Sequence, residues 1–215
     1  HPVATHTRRG AWGFASFAEG LEACRRLVQR GIAPAVLRLY DSVEADRNYQ
    51  TGDLAVLLVL DEGDPVMVDA AFGEVTEECS TALRLDDELV ERWLGHRNDV
   101  SALERLIGGG LVVDTMEVTG PWAALPAIYE ETVAAISEVP GTLAASAHQS
   151  HAYTDGACLY FTFGGKVEPE ERDEFYRAVS VAGTRTVLAR GGSLSHHHGV
   201  GINRARFVRE ALGGG

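Results

Sequence analysis

Three consecutive imidazoles, His196, His197 and His198, sit in the run Gly191-Gly192-Ser193-Leu194-Ser195-His196-His197-His198-Gly199-Val200-Gly201, with glycines on both sides. Histidine is the side chain whose unperturbed pKa, ~6.5, falls in the physiological range. Glycines let a backbone turn sharply and approach a ligand closely. The stretch therefore concentrates proton-transfer capacity on one short loop. A metal site is the rival chemistry. Adjacent residues point in different directions, however, and zinc sites use spaced ligands such as His-Glu-x-x-His, so no metal is assigned.

Three further positions have side chains suited to a site. Tyr160 lies in the alternating run Ala157 to Phe163, which places it with Cys158 and Thr162 on one face and leaves Leu159 and Phe161 on the other. By alternation alone it is a half-buried packing residue. His148 and His151 are three apart in a strand, so they point to opposite faces and at most one lines a pocket; His148 is the choice. Arg38 ends a strand, with Asp41 at the following turn. A structural ion pair is one reading. The other is that the guanidinium binds an anionic substrate, carboxylate or phosphate, through two parallel hydrogen bonds.

The composition bounds what these residues can serve. A chain of 215 residues, 45% hydrophobic and 23% charged, buries a proper core as one large domain or two small ones. A net charge of −12 disfavours a nucleic-acid partner, which calls for clustered Lys and Arg. The longest apolar run, Leu54 to Leu60, is far short of the ~18 residues needed to span a bilayer. No signal peptide is visible, though a fragment would hide one. Cys24, Cys79 and Cys158 are odd in number and widely spaced, as reduced buried thiols are, and the expected compartment is the cytoplasm.

Positioning these groups falls to alternating strands and helices. Gly10 to Ala15 reads as a strand; Ser16 and Glu19 then form a capping box ahead of Leu21, Cys24, Leu27 and Val28 at helical spacing. Ala35 to Tyr40 and Leu54 to Leu60 are strands, and Pro65 to Cys79 is a helix with Asp64 as cap and proline at its first position. A polar helix from Asp86 to Leu94 and the break Gly108-Gly109-Gly110 follow. The order then repeats: strand Leu111 to Val118, mostly helix from Pro121 to Val139, strands Leu143 to Tyr153 and Ala157 to Phe163, and helix Pro169 to Arg190. Pro126 blurs the start of the middle helix. Ile202 to Leu212 reads as a short closing helix. Two β-α-β-β-α units, about 10–79 and 111–190, imply an α+β fold with an antiparallel sheet and helices on one face, a duplicated ferredoxin-like arrangement.

The histidine run closely resembles the Gly-Gly-Ser-Leu-Ser-His-His-His-Gly-Val-Gly segment of the alkyldihydroxyacetonephosphate synthases and their bacterial relatives, FAD enzymes of the vanillyl-alcohol oxidase superfamily. Tyr153-Thr154-Asp155-Gly156-Ala157-Cys158-Leu159-Tyr160-Phe161 is similar to the same family's Tyr-x-x-Gly-Ala-Cys-x-Tyr-Phe strand, and Leu37-Arg38-Leu39-Tyr40-Asp41 to its Arg-Leu-x-Asp strand end. Together the three cover most of the chain in the expected order. The resemblance implies that Tyr160 stands in an active site and that one or more of His196, His197 and His198 take a proton beside the flavin. It also implies a C-terminal, substrate-binding cap whose FAD is bound mainly by an N-terminal domain of the same polypeptide, and that domain is absent from this chain. There is no Gly-x-Gly-x-x-Gly run after a strand. The opening His1-Pro2-Val3-Ala4 and the end at Gly213-Gly214-Gly215, short of an Asn-Pro-Gly-Lys-type tail, read as those of a piece trimmed from a longer protein.

The implied activity is oxidation of a small hydroxy compound such as a 2-hydroxy acid, with the isolated chain inactive. Alkyl-for-acyl exchange on FAD, as in the synthases, is the alternative. It is disfavoured because Ala102-Leu103-Glu104-Arg105 has Leu103 where the synthases place an arginine; Arg97 or Arg105 compensates only with a shifted loop. A non-catalytic ligand-binding or oligomerisation module, including a homodimer, is the reading of another class.

Overall fold

The computed structural model describes residues 4–99 and 101–213; the readings that fall on His1 to Val3 and on Gly214-Gly215 lie outside them. The chain divides into two compact units. The first runs to Asn98 and adds His148–Asp155; the second is Asp99–Ala147 with 156 onward.

The first unit contains β1 (His6–Phe14), α1 (Phe17–Gln29), β2 (Val36–Tyr40), α2 (Ser42–Tyr49), β3 (Ala55–Gly63), α3 (Pro65–Glu78), β4 (Leu83–Leu85), α4 (Glu88–His96) and the end of β6 (Thr142–Ala152). Its strands lie in the order β4-β1-β3-β2-β6, with antiparallel ladders. The helix starts are those the caps predict. Ser16 Oγ accepts from the Glu19 amide at 3.2 Å, and Asp64 accepts from the amides of Val66 and Met67 with Pro65 leading α3.

β3 is buried from Ala55 to Leu60 because both of its faces are covered. Leu57 shares a face with Trp12 and Leu39; Leu39 lies against α1 at Gly20, and Trp12 stacks near Phe72 of α3. The expected helical layer on one face is therefore present. On the opposite face Tyr40, Val56, Leu58 and Leu60 form a second core with Ala45 and Tyr49 of α2 and Val90 and Trp93 of α4.

The second unit contains α5 (Ser101–Gly108), β5 (Val112–Pro121), α6 (Leu125–Ser137), the start of β6, β7 (Gly156–Gly165), α7 (Arg172–Ala189) after a 3-10 turn at Pro169–Glu171, and two short helices, α8 (Gly201–Ala205) and α9 (Val208–Leu212). The closing helix is thus split in two. β5 pairs antiparallel with β7 over ten residue pairs from Val112↔Gly165 to Pro121↔Gly156. Pro126 falls in the first turn of α6, where a missing amide hydrogen costs nothing. The strand order is β6-β7-β5, first strand beside third and third beside second, as β1-β3-β2 is in the first unit. That shared order is the duplication expected from the element pattern. Met116, Val118, Leu159, Phe161 and Phe163 are buried on the side of α6 and α7. No helix among the described residues is long and apolar enough to cross a membrane.

Candidate functional site

The open face of the second unit's sheet follows from strand alternation. With Met116, Val118, Leu159 and Phe161 turned to the helices, Thr115, Glu117 and Thr119 of β5 and Cys158, Tyr160 and Thr162 of β7 must face the other way. Glu117 stands directly opposite Tyr160 in the ladder.

The histidine loop is laid against this face by its own backbone. α7 ends at Ala189 with Arg190 as its C-cap, Gly191 takes φ +74°, and the Gly192 amide donates to Val187 O at 2.9 Å. A Cβ on Gly192 would sit 2.5 Å from Val187 and 3.0 Å from Thr119 O, so glycine is required there. The Ser193 amide then donates to Thr119 O at 2.7 Å, which adds one bridge to the edge of β5. Leu194 is buried, and its carbonyl accepts from Arg204 Nη1 at 2.7 Å.

Glu117 organises the histidines. It is 1% exposed. One carboxylate oxygen accepts from Ser195 Oγ (3.1 Å) and from the amides of His196 (3.3 Å) and His198 (3.1 Å); the other accepts from the His197 amide (3.3 Å) and lies 2.6 Å from His197 Nδ1. Burial pushes its pKa up, but the amides of His198, His197 and His196 and the Ser195 hydroxyl more than offset this and hold it at about 2. The carboxylate is therefore ionised and can only accept. His197 Nδ1 carries its hydrogen toward Glu117, and His197 Nε2 is left with a lone pair. Tyr160 Oη lies 3.3 Å from that nitrogen and 3.0 Å from His198 Nε2. A phenol, two imidazoles and a buried carboxylate thus form one hydrogen-bonded chain able to move a proton. His196 Nδ1 packs 2.8 Å from the same His197 Nδ1, whose hydrogen is already directed at Glu117.

The structure brings together Tyr160, His196, His197 and His198. Glu117 was missed by the sequence reading. The signal was available: an acid at alternate spacing with Thr115 and Thr119 marks a polar face within an otherwise apolar strand. The ligand atoms of Glu117, Cys158 and His196, and those of Glu117, His197 and His198, lie within 4.8 Å of one another. That spacing suits a metal ion, but Glu117 already spends both oxygens on protein donors.

Arg38 and His148 lie in the first unit. The register Tyr40↔His148 turns the imidazole onto the α2 and α4 face, where it is 7% exposed. Arg38 Nη2 donates to His148 Nε2 at 2.6 Å, and His148 Nδ1 lies 3.0 Å from Glu44 Oε1. A guanidinium cannot accept, so Nε2 holds the lone pair and Nδ1–H donates to Glu44. Burial lowers the pKa of His148, with Glu44 opposing, and the ring is a neutral bridge between carboxylate and guanidinium. For Glu44, burial pushes upward, and His148, Arg47 and Arg38 outweigh it. Asp41 caps α2, accepting from the Glu44 amide at 2.8 Å. A cleft of about 340 Å³ opens beside Arg38, and its wall carries His151 rather than His148. The expectation that His148 lines the pocket is corrected: pairing with Tyr40 turns it toward Glu44.

Comparison with known proteins agrees with this architecture. The chain matches the family described as FAD linked oxidases, C-terminal domain, over residues 3–215, and it belongs to that family. FAD is the family's cofactor. The chain is 28% identical over 208 residues to the uncharacterized FAD-linked oxidoreductase YgcU of Escherichia coli O157:H7, covering 88% of this chain and 43% of that protein. It is 25% identical over 231 residues to alkyldihydroxyacetonephosphate synthase of Dictyostelium discoideum, covering 91% of this chain and 38% of the synthase. The chain thus spans less than half the length of these relatives. Among solved structures, an alkyldihydroxyacetonephosphate synthase superposes with a TM-score of 0.77 at 22% identity, over 99% of this chain and 44% of that one. p-Cresol methylhydroxylase superposes with 0.63 at 11%, over 99% and 48%. These two likenesses concern the fold.

Proposed function

We propose that this chain is the substrate-binding cap of an FAD-dependent oxidoreductase that oxidises a small hydroxy compound such as a 2-hydroxy acid. One observation carries the reading: a buried, ionised Glu117 gathers three consecutive backbone amides and aligns two imidazoles on the Tyr160 hydroxyl.

FAD, held mainly by an N-terminal domain of the same polypeptide, supplies the acceptor for the hydride that leaves the substrate carbon. The donor set suits the reacting end of that group. Tyr160 and the two Nε2 atoms offer donors and acceptors without fixed charge on a sheet face, where a pyrophosphate would call for fixed positive charge. Tyr160 takes the proton of the substrate hydroxyl as its own hydrogen passes to Nε2 of His197, whose lone pair faces it. Glu117 fixes the His197 tautomer and opposes the positive charge that the proton brings. Arg38, steadied by His148, is assigned the anionic group of the substrate. The isolated 215 residues are colourless and without turnover on this account. The three cysteines are free and buried, which suits the cytoplasm.

The test is anaerobic reduction of the full-length protein by a panel of 2-hydroxy acids, followed at the flavin absorbance. Bleaching by at least one acid supports oxidation. Exchange of a fatty alcohol into an acyl-dihydroxyacetone phosphate without bleaching would instead establish the synthase reaction, and a full-length protein that never holds FAD would point to a non-catalytic module.

A further inference from the structure

Most arginines of the first unit are tied to carboxylates: Arg8 to Asp69, Arg9 to Glu91, Arg30 to Glu74 and Arg84 to Asp87. Arg92 is held by Asn48 O instead, and Arg38 and Arg97 differ again. Neither has a carboxylate at ion-pair distance among the described residues, and both line the same cleft of about 340 Å³. Both guanidiniums also lie on one indole ring, with their central carbons 5.8 and 5.4 Å from the Trp93 centroid. They are therefore no farther apart than the sum of those distances. Two like charges share a cavity with no anion between them in a chain of net charge −12.

The wiring behind Arg38 fixes what it can offer. Its Nη2 is committed to His148, which is committed to Glu44. Its Nε is buried without a partner. Glu44 does not discharge the pair, since its carboxylate is shared with Arg47 at 3.8 Å and reaches Arg38 only through a neutral ring. One carboxylate satisfies one guanidinium in the two-bond geometry that arginine prefers and leaves the second arginine as it was.

We propose that this cleft is a dianion subsite, which takes a small ligand carrying two negative charges, a short dicarboxylate or a phosphate monoester, on Arg38 and Arg97 over the Trp93 ring. The cleft is at the small end of the range for ligand sites, which excludes bulky acids. Ser150 and His151 on the same wall supply the remaining polar contacts. The proposal rests on the preceding reading in that it names the class of acid the oxidoreductase takes. Arg97 is then the residue that separates doubly from singly charged substrates.

The experiment is isothermal titration of the full-length protein with three probes that carry no hydroxyl to oxidise: glutarate, n-propyl phosphate and butyrate. It reads the cleft whether or not any acid reduces the flavin, so its outcome is separate from that of the reduction panel. At least one dianion is expected to bind tenfold or more tighter than butyrate, and which of the two does so identifies the source of the charge. Arg97 is exposed on the end of α4, so its replacement leaves the core intact. R97L is expected to weaken the preferred dianion by roughly ten- to a hundredfold, the worth of a charge-assisted hydrogen bond, while butyrate changes by less than about threefold. R97K is expected to keep part of the preference, as a charge without the fork. Butyrate binding as tightly as both dianions would overturn the proposal, and so would a preference that survives R97L.

Discussion

Replacing Glu117 with glutamine removes one charge from the centre of the histidine loop and keeps the shape. Folding lowers the pKa of this carboxyl from 4.5 to about 2. At 1.36 kcal/mol per unit, that difference corresponds to about 3 kcal/mol of stability at pH 7. Because the folded value is the lower one, the stabilisation is complete above about pH 4.5 and is lost as the pH falls toward about 2. At pH 3 somewhat under half of it remains, about 1.4 kcal/mol. Glutamine also turns an amide hydrogen toward amides that are themselves donors, so the loop loses an acceptor as well as a charge. Urea unfolding of the chain, followed by tryptophan fluorescence from pH 7 to pH 3, measures the gap between wild type and E117Q. A gap of about 3 kcal/mol that narrows below pH 4.5 is expected. A gap under about 1 kcal/mol at pH 7, or one that stays constant down to pH 3, would refute the reasoning.

Three other perturbations follow from the same geometry. His148→Phe removes the hydrogen bond to the buried Glu44 carboxylate, which keeps only Arg47 at 3.8 Å, and should cost about 1.5–3 kcal/mol in urea unfolding, the worth of a hydrogen bond to a charged group; a loss below about 0.5 kcal/mol would mean that the bridge is not formed. Gly156→Ala places a Cβ 2.2 Å from Gly120 O and 3.1 Å from Pro121 Cα, both backbone atoms. It should cost about 1–3 kcal/mol and lower Tm by about 2–4 °C per kcal/mol, and an unchanged Tm would place β5 and β7 differently. In the full-length protein His197→Ala should suppress turnover while Tm moves little, because the loop is held chiefly by backbone amides on Glu117; EDTA should leave wild-type turnover unchanged, and chelator-sensitive turnover would make the loop a metal site.

What was legible in the sequence was what repeats or caps. The alternation of Ala157 to Phe163 set Tyr160 with Cys158 and Thr162, and the ladder to β5 places them so. Ser16 and Asp64 marked two helix starts by residue type alone. α2 escaped notice because eight residues hold only two turns and bury Glu44, Ala45 and Tyr49, too few positions to display a helical period. β4 has three residues, and α5 follows Asp99 with no long apolar stripe before it. Glu117 and the Glu44–His148–Arg38 bridge were hidden for another reason. Their meaning lies in partners 78 to 110 residues away along the chain, which only the tertiary fold brings together: the β2–β6 register for Arg38 and His148, and the loop after α7 for Glu117.

The central claim is that Tyr160 and the histidines carry the proton of a flavin-linked oxidation, and anaerobic stopped-flow reduction of full-length Tyr160→Phe tests it most directly. The substitution removes a hydroxyl and keeps the ring against its neighbours, so FAD content should match wild type. Flavin reduction by the best acid of the panel should slow by ~10²–10⁴, the usual contribution of a positioned acid or base. A Tyr160→Phe protein that reduces its flavin at the wild-type rate would contradict the claim and return Tyr160 to the packing of the sheet.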